Sequence, residues 1–108
     1  GHGLDVIIDA EKQLPVGVCG LLQRAELSAP DLGYAISSQF VGLGYAYQAC
    51  QIAIAQGFDT LITNEILAIV SLHNIPSIGL LEKLNFVRVE SMIWQGEKNW
   101  LYRLTCEK

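Results

Sequence analysis

Two glycines one residue apart, Gly42 and Gly44, stand where a short apolar strand ends and a long alanine-rich apolar run begins. Polar Ser37, Ser38 and Gln39 precede them, so Gln39-Phe40-Val41-Gly42-Leu43-Gly44-Tyr45-Ala46 reads as a loop of exposed backbone N–H groups opening a helix. The first four N–H groups of a helix have no intrahelical acceptor and carry the positive end of its dipole. An anion held there gains those hydrogen bonds and about 0.3–1 kcal/mol from the dipole, which makes the junction a phosphate cradle.

The phosphate has to be held mostly by backbone. The 108-residue chain has a formal charge of −4 with its Lys and Arg scattered, so nucleic acid and anionic membrane are not expected partners. Residues 4–108 are read as one domain, and Gly1-His2-Gly3 as the remnant of a cleaved tag. Apolar residues make up 51% and charged residues only 17%, an apolar balance that calls for a cover over part of the surface. Cys19, Cys50 and Cys106 are odd in number and lack a Cys-x-x-Cys pair, so neither a disulfide framework nor a metal site is expected, and a reducing cytoplasm fits. No apolar run reaches the roughly 20 residues that span a bilayer, and the start has no basic-then-apolar leader.

Along the chain, Leu4–Ala10 reads as a strand rich in β-branched residues, and Val16–Leu22 as its hairpin partner after a Glu11-Lys12-Gln13 connection closed by Pro15. Gly17 and Gly20 mark a bulge or a close approach of backbone. Ser28-Ala29-Pro30-Asp31 is a turn, and Leu32–Ser37 completes an antiparallel meander. From Leu43 to about Leu61 polar Gln48, Gln51 and Gln56 recur near helical spacing, predicting a mostly buried helix with a narrow wet face that weakens at Gly57. Glu65–Val70 reads as a fourth strand, which makes strand–helix–strand a right-handed parallel crossover. Asn74 is the expected N-cap of a helix reaching Leu84 with Pro76 in its first turn. Phe86–Trp94, a turn over Gln95–Asn99, and Trp100–Thr105 form a closing hairpin. The fold class is therefore α/β in the α+β sense, with a mixed sheet of about six strands.

Two phosphate-loop rivals fail on residues. A dinucleotide fingerprint needs a third small residue where Tyr47 stands. A P-loop needs Lys followed by Ser or Thr where the chain has Tyr45-Ala46. What remains is a short Gln-x-x-Gly-x-Gly loop that cradles a pyrophosphate without metal.

Gln39-x-x-Gly42-x-Gly44-Tyr45-Ala46 after Gly33-Tyr34-Ala35-Ile36, followed by Asn74-x-x-Ser77-x-x-Leu80-Leu81-Glu82-Lys83-Leu84-Asn85-Phe86, resembles the acetyl-coenzyme A signature of the GNAT superfamily of N-acetyltransferases. The match is better to its ribosomal-protein-acetyltransferase-like branch and runs from about Asp31 to Phe86 without a gap. The resemblance implies a GNAT-like sheet, here truncated, that splays between its third and fourth strands and receives acetyl-CoA there. It puts the pyrophosphate on Val41, Gly42, Leu43, Gly44, Tyr45 and Ala46, and the pantetheine arm along Ile36, Ser37 and Ser38. Asn74 would bind the arm and Ser77 would lie near the thioester sulfur. Acetyl would pass directly to an amine, with a base taking the amine proton and an acid protonating the departing thiolate.

Departures from the pattern shape the expectations. Val41 and Leu43 stand where relatives often carry a basic residue, and a lost charge-assisted hydrogen bond is worth about 1.5–3 kcal/mol. Leu81 stands where many members have a tyrosine acid, leaving Ser77 as the hydroxyl candidate. Tyr47-Gln48-Ala49 replaces Thr-Glu-Ala, and Asn85 replaces a glycine before Phe86, although Asn tolerates the left-handed conformation a helix end requires. The resemblance starts after the strand and two helices that usually wall the acceptor site, so this is either a fragment or a short form completed by a second chain. With the apolar composition, that gives the expectation of a homodimer. The alternative to an enzyme is a non-catalytic acyl-CoA-binding or assembly module.

Asp31 and Glu97 are the acidic candidates for the base, though turn carboxylates are ordinarily solvated. Glu90 on a strand is no better, and His73 reads as a surface loop residue. Asn74 could be only an N-cap. Trp94 and Trp100, flanking the last hairpin, read as cross-strand packing.

Overall fold

The structure, a computed structural model, describes residues 3–42, 44–60 and 63–106. Strands β1 (Gly3–Asp9), β2 (Leu14–Leu22) and β3 (Asp31–Ile36) form the antiparallel meander. A 3-10 turn at Ser38–Phe40 leads to helix α1 (Tyr45–Thr60), then come strand β4 (Glu65–Ser71), helix α2 (Ile75–Lys83), and strands β5 (Val87–Trp94) and β6 (Glu97–Thr105). The strand order is β1-β2-β3-β4-β6-β5, with β3 and β4 running parallel. This is the mixed six-stranded sheet with crossover helix, second helix and terminal hairpin that the sequence predicts.

Local differences have local causes. The last turn is not the five residues Gln95–Asn99 but the pair Gln95-Gly96, with φ of 51° and 82°. Two consecutive left-handed residues give the tight hairpin turn whose twist matches the flanking strands, so β6 begins at Glu97. In the first hairpin the register shifts between Ile7 and Ile8, opposite Gly17 and Pro15, and the extra residue Val16 is fully buried. A Cβ on Gly17 would lie 2.2 Å from the carbonyl oxygen of Ala35, so the close-approach reading of that glycine holds.

Helix α1 is less buried than its composition suggests. Among its described residues only Cys50 and Gly57 are buried, and Ile52 is exposed, because the helix rests on the sheet by one side and turns the other to solvent. Nor does the helix weaken to an end at Gly57: it runs on to Thr60, and Gly57 is where it presses on Leu21, whose Cδ1 would be 2.3 Å from an added Cβ. The predicted ends at Leu43 and Leu61 lie outside the described residues. Helix α2 is capped as expected, with Asn74 Oδ1 accepting the Ser77 N–H at 3.3 Å. At its other end Asn85 is left-handed, φ 73°, and the N–H groups of Asn85 and Phe86 return to the carbonyls of Glu82 and Leu81 at 3.0 Å. That is the wrapped helix end in which a hydrophobic residue, here buried Phe86, seals the last turn.

Both helices lie on one face of the sheet. Cys19, Leu21, Leu32, Ile66, Ala68, Val70 and Tyr102 from the strands pack with Cys50, Ile78 and Leu81 from the helices. Tyr102 fixes α2 to the terminal hairpin, donating to Glu82 Oε2 at 3.1 Å and accepting from Arg88 Nε at 3.1 Å. Strand alternation then sends Asp31, Gly33, Ile69, Ser71 and Asn99 to the opposite, open face. Leu4, Val6 and Ile8 line that face too and are 47–61% exposed. Among the described residues no helix is long and apolar enough to cross a membrane.

Gly17→Ala drives a methyl into an unyielding backbone carbonyl and is expected to cost about 1–3 kcal/mol. Gly79→Ala, in α2 with open space around the position, should instead stabilise by up to about 1 kcal/mol. Urea unfolding of the two variants checks both signs.

Candidate functional site

β3 and β4 share one register pair, Asp31 with Leu67, and the Leu67 N–H donates to the Pro30 carbonyl at 2.8 Å. Beyond it they diverge, while β3 stays paired with β2 as far as Ile36 and β4 with β6 along its whole length. The divergence opens a cleft of about 260 Å³ that passes through the sheet. Tyr34, Ala68, Val70, Ser77 and Leu81 line its helix side, and Arg24, Asp31, Ser71, Trp94 and Asn99 its open-face side.

At the far end of β3, Gly42 and Gly44 have φ of 86° and 88°, and a Cβ at either would meet nothing within 4 Å. Both glycines therefore serve the backbone conformation, not packing. Phe40 is buried and meets the Tyr45 ring edge-on at 5.8 Å, which anchors the loop on either side. The Tyr45 hydroxyl donates to Asp9 at the end of β1; that bond raises the Tyr45 pKa and lowers that of Asp9. Leu43 lies outside the described residues. Ile36 ends β3, and Ser37 precedes the 3-10 turn with its N–H on the Val16 carbonyl at 2.8 Å.

On the helix side of the cleft, Tyr34 donates to Ser77 Oγ at 2.7 Å. Burial raises the Tyr34 pKa, so the phenol keeps its proton and acts as a donor. With that donor on its oxygen, the Ser77 hydroxyl is left to donate its own proton into the cleft. Asn74 gives its Oδ1 to the cap, a role that leaves its amide N–H groups as donors. Leu81, 2% exposed, belongs to the core and carries no proton to give.

Asp31 is not the solvated turn carboxylate its sequence context suggests. It is the first residue of β3, 4% exposed, and both its oxygens accept from Arg24 Nε, at 3.0 and 3.2 Å. Burial raises its pKa, and the Arg24 charge opposes that shift without cancelling it. Glu97 is exposed at the start of β6 and is not among the cleft-lining residues; Glu90 is exposed on β5 and His73 exposed before α2. The tryptophans do not pack on each other across the hairpin. Trp94 stands opposite Glu97 and Trp100 opposite Ser91, and each has an arginine over its ring: Arg24 at 5.4 Å and Arg88 at 4.2 Å. Sequence reasoning missed Tyr34 and Arg24 as site residues; the alternation that sends Tyr34 to the helix face was a signal for the first.

A family model described as an acetyltransferase (GNAT) domain matches residues 1–87. The chain belongs to the GNAT acetyltransferase family. Among its GNAT relatives is an uncharacterized N-acetyltransferase, p20, of Bacillus licheniformis, 36% identical over 93 residues that cover 85% of this chain and 52% of the relative. The chain thus spans about half the length of that curated relative. GNAT structures similar to it include an acetyltransferase of Agrobacterium tumefaciens (TM-score 0.85, 23% identity, covering 96% of this chain and 61% of that one). A ribosomal-protein-S5-alanine acetyltransferase of Vibrio fischeri (0.78, 22%, 93% and 59%) and a spermidine N-acetyltransferase of Vibrio cholerae (0.77, 19%, 93% and 63%) share the same GNAT fold.

The raised pKa of Asp31 means that the folded GNAT domain holds this proton more tightly than the unfolded chain does. Its contribution to stability is therefore full below the ordinary value of 3.8 and is lost as pH rises through the raised value. The unfolding free energy of wild type relative to Asp31→Asn is expected to fall as pH climbs past 3.8, as followed by urea titration at a series of pH values.

Proposed function

We propose that this chain binds acetyl-CoA in the through-sheet cleft and transfers acetyl to a primary amine. The observation that carries the reading is the alignment of an open, left-handed glycine loop at the start of α1 with a split sheet whose two sides present different proton chemistry. When bound, acetyl-CoA supplies an activated acetyl thioester. Its pyrophosphate suits the N–H groups of Val41, Gly42, Gly44, Tyr45 and Ala46, which lead into the positive end of α1. Its arm suits the β4-facing edge of β3 toward Ile36 and Ser37, and the Asn74 amide.

The remaining steps belong to protein groups. Asp31 carboxylate, on the open face, takes the proton of the incoming ammonium, a role that its raised pKa brings closer to neutrality. Ser77 Oγ, on the helix face, donates a proton to the departing sulfur, and Tyr34 orients it and stabilises the charge it leaves. Glu97, exposed at the start of β6, has no part in this reading. The acceptor is an amine and is not narrowed further by similarity: neighbours of this fold are named for a ribosomal-protein alanine and for spermidine. A homodimer belongs to the same reading, supported by the exposed apolar row Leu4, Val6 and Ile8; a monomeric mass in light scattering at tens of micromolar protein would remove it.

A second reading has its own observation. Leu81 is buried where an acid often stands, so the chain could serve as a non-catalytic acyl-CoA-binding module. Titration calorimetry with acetyl-CoA tests what both share: saturable heat is expected, weakened about tenfold or more by Gly44→Val, and no heat at millimolar ligand sinks both. Thiol release against a panel of amines separates them. The enzyme reading expects turnover that Ser77→Ala lowers about 100-fold and Tyr34→Phe less, with cofactor affinity nearly unchanged in each.

A further inference from the structure

We propose that Asp31 and Trp94 form a cation subsite that Arg24 fills in this structure, and that a ligand's guanidinium or primary ammonium group occupies it when Arg24 moves out. The components are a carboxylate and an aromatic face, the two groups that bind an organic cation by charge and by ring quadrupole. Both are carried by strands. Asp31 opens β3 at the one point where β3 is pinned to β4, and Trp94 ends β5 against β6. The cation that now completes the set is carried differently. Arg24 belongs to the β2–β3 connection, outside helix and strand, and its side chain is 33% exposed against 6% for that of Asp31.

The surroundings suit exchange for another cation. The Asn99 amide N–H2 donates to the Glu97 carbonyl at 3.0 Å, which leaves Asn99 Oδ1 as an acceptor in the cleft wall. Ser71 lines the same wall, its Oγ accepting the His73 N–H at 3.3 Å and keeping a second lone pair. A primary ammonium or guanidinium has several N–H donors, so it can meet the carboxylate and one of these neutral acceptors together. A quaternary ammonium can lie against the ring but has nothing to donate to Asp31. Burial raises the pKa of Asp31 even with Arg24 in place, so the carboxylate has electrostatic stabilisation still to gain from a better-seated cation.

The identity of the natural ligand, though not the subsite itself, rests on the acetyltransferase reading. An acceptor entering as its ammonium would displace Arg24 and bring its nitrogen against the carboxylate that takes its proton. A guanidinium cannot lose a proton at ordinary pH and would occupy the subsite only as a blocker.

The test uses Arg24→Gln in a Trp100→Phe background, so that Trp94 is the remaining indole, followed by its NMR resonance. Methylguanidinium and n-propylammonium are expected to shift that resonance saturably, at least about tenfold more tightly than in the Arg24 protein. Adding Asp31→Asn should abolish the effect, and tetramethylammonium should bind at least about tenfold more weakly than n-propylammonium. Cation binding that is absent, or indifferent to either Arg24 or Asp31, overturns the proposal. Should Arg24→Gln fail to fold, methylguanidinium at about 10 mM is expected to restore the native spectrum, and no restoration overturns it equally. Acetyl-CoA calorimetry on the same samples keeps the two ideas apart: cation binding without cofactor binding supports the subsite and removes the acetyltransferase reading, whereas cofactor binding without cation binding removes the subsite alone.

Discussion

Everything distinctive about this domain follows from the single hydrogen-bonded contact between β3 and β4. At Asp31 and Leu67 the two strands are neighbours; a few residues on they are the walls of a cleft. The sheet survives this split because each strand has a complete ladder on its other side, β3 with β2 and β4 with β6. Parting them therefore exposes one edge of each strand without dissolving either. Those edges hold N–H and C=O groups that must find water or a ligand, since buried backbone polar groups are not left unpaired. A split sheet is thus a site by construction, and its depth is set by where the pin lies.

The two helices stabilise the split by bridging it on one side only. α1 packs on β2 and β3, α2 on β4, and their side chains meet in one core with Cys50, Ile78, Leu81 and Tyr102 at its centre. Because both lie on the same face, the cleft is roofed by side chains there and open on the other. The Tyr34–Ser77 hydrogen bond crosses the gap under the roof, and the Arg24–Trp94 contact crosses it on the open side. Each side of the cleft is therefore bridged by a contact between one side chain from the β2–β3 half and one from the α2–hairpin half.

The order of elements was legible because their signals are local: β-branched runs, the Asn74 cap three residues ahead of Ser77, and glycines at the helix start. Differences arose wherever a distant neighbour set the outcome. Gly57 is a helix weakener by propensity, yet α1 continues through it because Leu21 occupies the space a side chain would take. Gln95 carries no strong turn signal, yet with Gly96 it makes the tight hairpin because the strand pairing continues to Trp94 and Glu97. The site divides in the same way. The glycine loop is contiguous in sequence and could be read. The Tyr34–Ser77 pair joins residues 43 apart, and Asp31 became a buried, paired acid only because β3 starts one residue before its apolar run. Alternation puts Tyr34 on the helix face, but no periodicity encodes its Ser77 partner or the burial of Asp31.

The cleft also has an electrical polarity that the domain's net charge of −4 conceals. The Asp31 carboxylate opens β3, and beyond the other end of that strand the 3-10 turn and the glycines lead to the positive terminus of α1. Under the proposed reading an anionic group sits at the loop and a cationic one at Asp31, so two ligands of opposite charge do not compete for one place. On the same proposed reading the loop holds its ligand with backbone alone, so affinity rests on keeping Gly42 and Gly44 left-handed.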